Sequence, residues 1–294
     1  MINKKKEKID LLVFVDESYF NSSITLIGIL VVELSLFNKI IKIIEKEFYD
    51  TKDLPEIHFN EHQHADYIKR GLADKYIELI SNKGNKGLVY INVAIVDRNK
   101  LDIDTKRPND KQKKIERIFT RIAITYAINK FSYKYKEVKI KDIFIDKGGK
   151  TDDSLFRNYA INKIRSKSRA KLPENVKYIN SNPRKEKENS KFSVFIDIID
   201  IILGAFNNCC SIEKRATNKF KKRLSEKIFN SILEIIIQKR NWLGKLNTHP
   251  KRRKIDKYGE KDLSGKNNKI IKIKYFDDPY LLKKFTPKPY NQLK

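Results

Sequence analysis

The sequence predicts a three-layer α/β fold with a central mixed sheet, followed by a basic helical or irregular extension at the C-terminus. The chain has 294 residues, of which 40% are hydrophobic, and this is enough apolar material for a sizeable core. Short apolar runs typical of strands alternate with segments of helical periodicity. The first two runs are separated by only a short polar turn, which indicates a hairpin, whereas the later runs are separated by helices.

The elements of the N-terminal half are predicted from the spacing of apolar residues and from the turn residues between them. Residues 17–23 are expected to form a connecting turn, and Asp53-Leu54-Pro55 ends the first helix. In chain order, the expected elements are strands over 11–15 and 24–32, helices over 36–48 and 65–80, and a strand over 88–96.

The second half continues the alternation of helices and strands. A helix is expected through Phe119, Ile122 and Tyr126. Gly148-Gly149 would form a turn, with Asp152 or Asp153 capping the next helix. The remaining expected elements are a strand over 138–146, a helix through Ile164, a strand over 176–180, and helices over 192–208 and 220–232.

We expect residues 1–246 to form the α/β domain and residues 247–294 to form a basic appendage. From about Asn247 the composition shifts toward charge and glycine. Within this appendage, residues 269–276 are largely apolar and basic, so they are expected to add an edge strand to the sheet.

The charge of the chain predicts a polyanionic partner. Lys and Arg number 64 against 37 Asp and Glu, which gives a formal net charge of +27. An excess of this size repels itself unless a partner neutralises it. Nucleic acid is the favoured partner, ahead of a membrane surface. A compositional bias toward Lys, Ile and Asn is the alternative explanation, although such a bias would also supply Asp and Glu.

The N-terminus and the cysteines indicate a cytoplasmic protein. Too few apolar residues precede Asp16 for a signal sequence or a membrane-spanning helix. Cys209 and Cys210 are adjacent, which disfavours a disulfide between them, and both are expected to be reduced thiols. The sequence contains no P-loop, GxSxG or GxGxxG motif, so nucleotide-driven and serine-hydrolase mechanisms are disfavoured.

Asp16 and Asp146 are the first candidate metal ligands because each closes an apolar strand. If both strands are central and parallel, their carboxyl ends meet at the same rim of the sheet. The hard cations Mg²⁺ and Mn²⁺, which support phosphodiester cleavage, prefer carboxylate and water oxygens. Turn capping is the alternative role for each residue. Glu17 is a weaker candidate, since a continuing strand would point it to the opposite face.

The helix over 192–208 supplies a third candidate, Asp200, at the margin of its apolar face. A simple boundary charge is the alternative interpretation. Asp197 lies one turn earlier and points almost away from the apolar centre, as a solvated charge would. Gly204, one turn beyond Asp200, leaves room for a metal ion or for a close approach of backbone.

The segment IHFNEHQH, residues 57–64, holds three of the four histidines. A zinc site built from His58, Glu61, His62 and His64 is disfavoured, because no cysteine and no second histidine pair complete a tetrahedral set. Glu61 or His58 is instead expected to reach the carboxylates as a ligand or a proton-transfer group, with helix capping as the alternative.

Four motifs resemble the bacterial family called domain of unknown function 3800. They are FVDES at 14–18, IHFNE at 57–61, IFID at 143–146 and SKFSVFIDIIDIILGAF at 190–206. That family opens with a DESG-like strand, carries a segment with His and Glu after its first helix, and ends with a helix in which Asp precedes Gly by four residues. The resemblance spans roughly residues 10–210.

The resemblance implies an RNase H-like fold in which carboxylates of the first strand, the fourth strand and the last helix bind two Mg²⁺ or Mn²⁺ ions. Asp16, Asp146 and Asp200 occupy those places. The sequence departs from the family at Tyr19, which replaces the Gly of DESG, and at Asp197, which stands where the family has Gln. Asp197 is therefore an additional candidate ligand. Family members are often encoded near mobile-element and phage-defence genes, which makes defence an expected setting.

The sequence therefore predicts a metal-dependent nuclease acting on DNA or RNA, with Asp16, Asp146 and Asp200 as metal ligands and Glu61 assisting. The residues expected to hold the phosphate backbone are Lys251, Arg252, Arg253 and Lys254. The alternative is a non-catalytic module on the same fold that binds nucleic acid or recruits a partner. A regulatory protein partner could restrain the activity, and the form of the substrate and the oligomeric state stay open.

Overall fold

Strands and helices of a computed structural model define the fold. The described residues are 6–19, 24–61, 66–82, 87–97, 108–147, 161–162, 164–166, 168–174, 176–186, 188–210, 219–231 and 271–275. Within these ranges the strands are β1 (Lys6–Tyr19), β2 (Ile24–Glu33), β3 (Val89–Asp97), β4 (Tyr135–Asp146), β5 (Lys177–Ile179) and β6 (Ile271–Tyr275). The long helices are α1 (Leu34–Glu47), α2 (Tyr67–Ser81), α3 (Pro108–Ser132), α4 (Ser190–Cys210) and α5 (Lys219–Ser231).

The strands form one mixed sheet in the order β5-β4-β1-β2-β3-β6. β1, β2 and β3 are an antiparallel meander, whereas β4 runs parallel to β1, β5 parallel to β4, and β6 parallel to β3. This arrangement confirms the predicted three-layer α/β architecture, and the order and directions of β1 to β5 fit an RNase H-like fold. The edge strand predicted near the C-terminus is present as β6.

The two faces of the sheet have separate cores. α1, α2, α4 and α5 cover one face, which we call the α4 face, and α3 covers the other, the α3 face. Aromatic rings join α4 to the centre of the sheet. Phe195 stacks on Phe14 with ring centroids 5.0 Å apart, and Phe192 stacks on Phe144 at 4.1 Å.

α4 is buried on nearly every side. Val194, Ile198 and Ile201 are fully buried, as are the residues that face the sheet. This follows because α2, α5 and residues 57–59 cover the side of α4 that faces away from the sheet. The single apolar face of the sequence pattern predicts solvent on that side and a solvated Asp197. This prediction is wrong: Asp197 is 0% exposed, because the helix packs against two layers instead of one.

A β-bulge interrupts the pairing between β1 and β4. Leu11 is paired with Ile140, but the next residue, Leu12, is paired with Asp142. Lys141 is therefore an additional residue in β4, and the alternation of its side chains changes at this point.

The bulge decides which face the end of β4 presents to α4. Val138 and Ile140, before the bulge, lie in the core of the α3 face, and so do Ile143 and Ile145 after it. Because side chains alternate along a strand, the residues between and after Ile143 and Ile145 point to the α4 face. Asp146 is one of them.

The ends of some elements differ from the predicted ones. β1 continues to Tyr19 in pairs with β2, so Asp16 does not end its strand as predicted. The turn at Gly148-Gly149, the caps Asp152 and Asp153, His62, His64, and the basic run at 251–254 lie outside the described residues. Among the helices that the structure describes, none combines the length and the apolar character that crossing a membrane requires.

Candidate functional site

Asp16 and Asp146 lie side by side on neighbouring parallel strands. The pairing of β1 with β4 reaches Val15 and Ile145, and the two aspartates follow directly. Each comes two residues after a ring of the aromatic stack, so alternation directs both side chains to the α4 face. The sequence predicts that the two aspartates lie close together if both strands are central and parallel, and the structure fulfils this condition. Asp16 is only 7% exposed.

α4 brings Asp200 to the same rim of the sheet. Ile199 packs against Gly28, where an added Cβ would lie 2.5 Å from Ile199 Cγ2. Gly28 is the β2 residue paired with Asp16. The lack of a side chain at Gly28 thus lets α4 approach the sheet beside Asp16. The pKa of Asp146 is raised to about 6, first by burial and then by the charge of Asp200.

Residues 56–59 after α1, which we call the extended segment, are held by the two aspartates of α4. The Ile57 N–H donates to Oδ2 of Asp197 at 3.1 Å, and the Phe59 N–H donates to Oδ2 of Asp200 at 2.9 Å. The Phe59 ring packs directly on Gly204, where a Cβ would overlap it. The space predicted at Gly204 for a metal ion or backbone is therefore occupied by this ring.

His58 lies between two carboxylates. Its Nε2 is 2.9 Å from Oε1 of Glu56, and its Nδ1 is 3.5 Å from Oδ2 of Asp200. The contacts with Asp200 and then Glu56 raise the pKa of His58 to about 11, although burial opposes the shift. The same contact with His58 lowers the pKa of Glu56 to about 2. At neutral pH an imidazolium thus bridges two carboxylates.

Ser181 connects Glu56 to Asp146. Its hydroxyl donates to Oε1 of Glu56 at 2.5 Å. A hydrogen bond from the Ser181 backbone lowers the pKa of Asp146 and so opposes the effect of burial. Next to it, Ser193 of α4 donates its hydroxyl to the carbonyl of Asn180 at 2.6 Å. A continuous polar network therefore runs from the end of β4, through the loop after β5 and the extended segment, to α4.

Asp197 has a different environment from Asp200. Its Oδ2 accepts the Ile57 N–H, but its buried Oδ1 has no hydrogen-bond partner among the described residues. Burial raises the pKa of Asp197 well above its usual range. Burial, followed by the charge of Asp197, raises the pKa of Tyr76, whose buried hydroxyl also lacks a described partner. As placed, Asp197 anchors the extended segment.

The described side chains of this network are of the kind that binds divalent cations, but they are not arranged as a complete set of ligands. Within the described ranges, no group of three or more His, Cys, Asp or Glu side chains is arranged to hold a metal ion. The donors are nevertheless carboxylate oxygens, which Mg²⁺ and Mn²⁺ prefer. One of them, the buried Oδ1 of Asp146, has no described hydrogen-bond partner and lies near the charge of Asp200. A cation there would relieve this electrostatic cost.

The remaining candidates are placed outside this network. Glu61 has an exposed side chain, and its N–H donates to the carbonyl of His58 at 3.2 Å. Of the two alternatives from the sequence, it is His58 that contacts the carboxylates. Glu17 belongs to the opposite face of β1 because the strand continues past it. Sequence reasoning missed Glu56, although residues two apart share one side of any extended chain, which would have placed it beside His58.

Comparisons with known proteins add little to this description. No protein-family model matches the sequence, and no curated protein is significantly similar to it. Among solved structures, the chain is similar to the crystal structure of the ribonuclease H2 from Pyrococcus horikoshii OT3, with 14% sequence identity and a TM-score of 0.36. The match covers 86% of this chain and 100% of that chain. The fold is therefore defined by its own strand order and directions.

Proposed function

We propose that this protein is a metal-dependent nuclease that hydrolyses phosphodiester bonds of DNA or RNA with two Mg²⁺ or Mn²⁺ ions, and that it belongs to the domain of unknown function 3800 family. The observation that carries the proposal is the placement of Asp16 and Asp146 side by side on the α4 face, with the charge of Asp200 acting on Asp146. These are the residues that the motif resemblance assigns to metal binding.

Asp16, Asp146 and Asp200 would hold the ions. Bound ions would activate water and stabilise the leaving oxygen. The protein itself would orient the carboxylates. The Phe59 N–H and the His58 ring both contact Oδ2 of Asp200, which restricts the rotation of this carboxylate and leaves its other oxygen for a ligand. Glu56 in turn fixes the His58 ring.

The charge of the chain supports nucleic acid as the substrate. A net charge of +27 favours association with a phosphate backbone. Lys251, Arg252, Arg253 and Lys254 remain proposed contacts of this kind. Glu61 remains a proposed accessory group, and Glu17 and Asp197 remain proposed additional ligands. A setting in phage defence or a mobile element, with a regulatory protein partner, is part of the proposal and follows from the family resemblance alone.

Matched carboxylate variants test the proposal. Labelled single- and double-stranded DNA and RNA are incubated with the full chain and Mg²⁺, Mn²⁺ or EDTA. Asp16→Asn and Asp146→Asn are expected to lower metal-dependent cleavage by at least about 100-fold, since each removes a proposed ligand. Asp10→Asn and Asp142→Asn are the controls, because they neutralise carboxylates on the same strands that pair with lysines. Equal activity of all four variants would refute the ligand assignment.

A non-catalytic nucleic-acid-binding module is the second candidate. It is favoured by the hydrogen bonds that Asp197 and Asp200 accept from backbone N–H groups, which give both residues a structural role. It is also favoured by the lack of a complete ligand set among the described side chains. Thermal unfolding with and without Mn²⁺ separates the candidates. A rise in Tm with Mn²⁺ that Asp16→Asn abolishes supports the metal site, and an unchanged Tm with intact binding of nucleic acid supports the module.

A further inference from the structure

Most of the charged residues of α5 are basic. Its residues include one acidic side chain, Glu226, and the basic side chains of Lys219, Lys221, Lys222, Arg223 and Lys227. Two of the basic residues pair with α2, because Arg223 and Lys227 lie 3.5 Å and 3.2 Å from the carboxylate of Asp74. The other three have no salt bridge to a carboxylate in the described part of the chain. Lys219, Lys221 and Lys222 therefore form a set without a salt-bridge partner among the described residues, which we call the α5 lysines.

Lys221 links this set to the carboxylate site. Its Nζ lies over the ring of Phe59, 5.8 Å from the centroid. Phe59 packs on Gly204 and donates its N–H to Asp200. The ammonium group therefore lies close to the turn of α4 that follows Asp200. Burial lowers the pKa of Lys221 because no described carboxylate offsets the desolvation of its charge.

The other two α5 lysines are exposed and three residues apart, so they lie on the same side of the helix. Lys219 lies over the ring of Phe220, 5.2 Å from the centroid. Arg70 of α2 approaches the same ring at 3.4 Å. A phosphate backbone placed along this edge of α5 would meet several cations in succession.

We propose that Lys219, Lys221 and Lys222 bind the phosphate backbone of the nucleic acid and lead it past Phe59 toward Asp200. This inference rests on the proposed function, since it assigns a substrate path to the same site. It also meets a physical need of that site, because carboxylates repel a polyanion and lysines nearby offset the repulsion. Lysines of this kind contact phosphates without reading sequence, so the affinity should depend little on base sequence.

Binding measurements on the full-length chain test the assignment. Fluorescence anisotropy with labelled DNA and RNA, in EDTA and over a range of salt concentrations, reports binding without cleavage. Lys221→Gln is expected to reduce the slope of log K against log salt by about 1, and Lys219→Gln/Lys222→Gln by about 2. Affinity near physiological salt should fall roughly threefold for the single variant and tenfold for the double variant. Lys221→Arg keeps the charge and should keep the affinity.

The matched control is Lys39→Gln/Lys42→Gln on α1. These lysines are also exposed and three residues apart on a helix, so the variant removes the same charge with the same spacing. It should bind within about twofold of wild type. A melting curve for each variant excludes unfolding as the cause of lost binding. The proposal is overturned if the α5 variants bind as wild type does, if the control loses as much affinity, or if wild type binds anionic vesicles but no nucleic acid.

The two proposals fail in different ways. If the α5 variants lose affinity and no cleavage is found with any metal, the lysine surface stands and the nuclease does not. If cleavage depends on Asp16 but the α5 variants bind normally, the nuclease stands and the lysine surface is wrong.

Discussion

The two faces of the sheet differ in how their buried polar side chains connect segments of the chain. On the α4 face, Ser193, Asp197 and Asp200 each make a hydrogen bond to backbone of another segment. On the α3 face, the buried side chains of Thr25 and Asn92 include polar atoms with no hydrogen-bond partner among the described residues. The difference teaches that burial alone does not mark a site: these three residues of the α4 face tie loops to a helix, whereas Thr25 and Asn92 make no such described bond in the core of the α3 face.

The largest expected effect comes from a substitution that disrupts the packing of the α4 face. Gly204→Ala should lower the free energy of unfolding by about 3 kcal/mol, because the new Cβ would overlap the Phe59 ring and displace the segment that contacts Asp200. Chemical denaturation measures it. Gly71→Ala on α2 is the control: its nearest neighbour, Phe48 Cε1, would be 3.9 Å away, and higher helix propensity should stabilise it by up to about 1 kcal/mol. Similar values for both variants would contradict the close packing of Phe59.

Asp197 gives the next effect. Asp197→Ala should cost about 2 kcal/mol, because it leaves the buried Ile57 N–H without an acceptor. Asp197→Asn keeps an acceptor for this N–H and nearly the same side-chain shape, so it should cost less than about 1 kcal/mol. The same denaturation assay compares the two variants. An Asn variant as unstable as the Ala variant would contradict the hydrogen bond to the Ile57 N–H as the source of the stabilisation.

Glu56 introduces a pH dependence. The pKa of Glu56 is about 2 in the folded protein, against an ordinary value of 4.5. Its ionised carboxylate therefore stabilises the fold above pH 4.5, and this stabilisation is lost as the pH falls toward 2. Wild type should therefore be more stable than Glu56→Gln at pH 6, by about 1 kcal/mol after screening by solvent, and the difference should shrink below pH 4.5. Urea unfolding at several pH values measures it, and a difference that is constant from pH 6 to pH 2.5 would contradict the ion pair with His58.

The smallest expected effects come from removing one hydroxyl group on each face of the sheet. Thr25→Val replaces an unpartnered hydroxyl with a methyl group of the same shape and should stabilise the protein by about 0.5 to 1 kcal/mol. Ser193→Ala on the α4 face removes the hydroxyl that donates to Asn180 and should destabilise it by about 1 kcal/mol. Shifts of the same sign in a thermal melt would remove the contrast between the two faces.

Local patterns in the chain were sufficient for much of the fold. The hairpin of β1 and β2, the helices α1 and α2, and the strand ending in Asp146 all follow from short-range apolar spacing, because period and turn residues report local geometry. The same spacing placed Asp16, Asp146 and Asp200 next to core elements. It misassigned Asp197, because a helical wheel shows which side of a helix is apolar and does not show how many layers cover it.

The sequence by itself determined the α/β class, the positive charge, and the carboxylates that stand at the ends of apolar runs, since these depend on composition and neighbouring residues alone. The tertiary structure decided which carboxylates meet. The additional residue Lys141 turns Asp146 toward α4, Gly28 lets Ile199 approach beside Asp16, and the extended segment brings Glu56 and His58 against Asp200. Each of these depends on contacts between segments far apart in the chain, and no local pattern specifies such contacts.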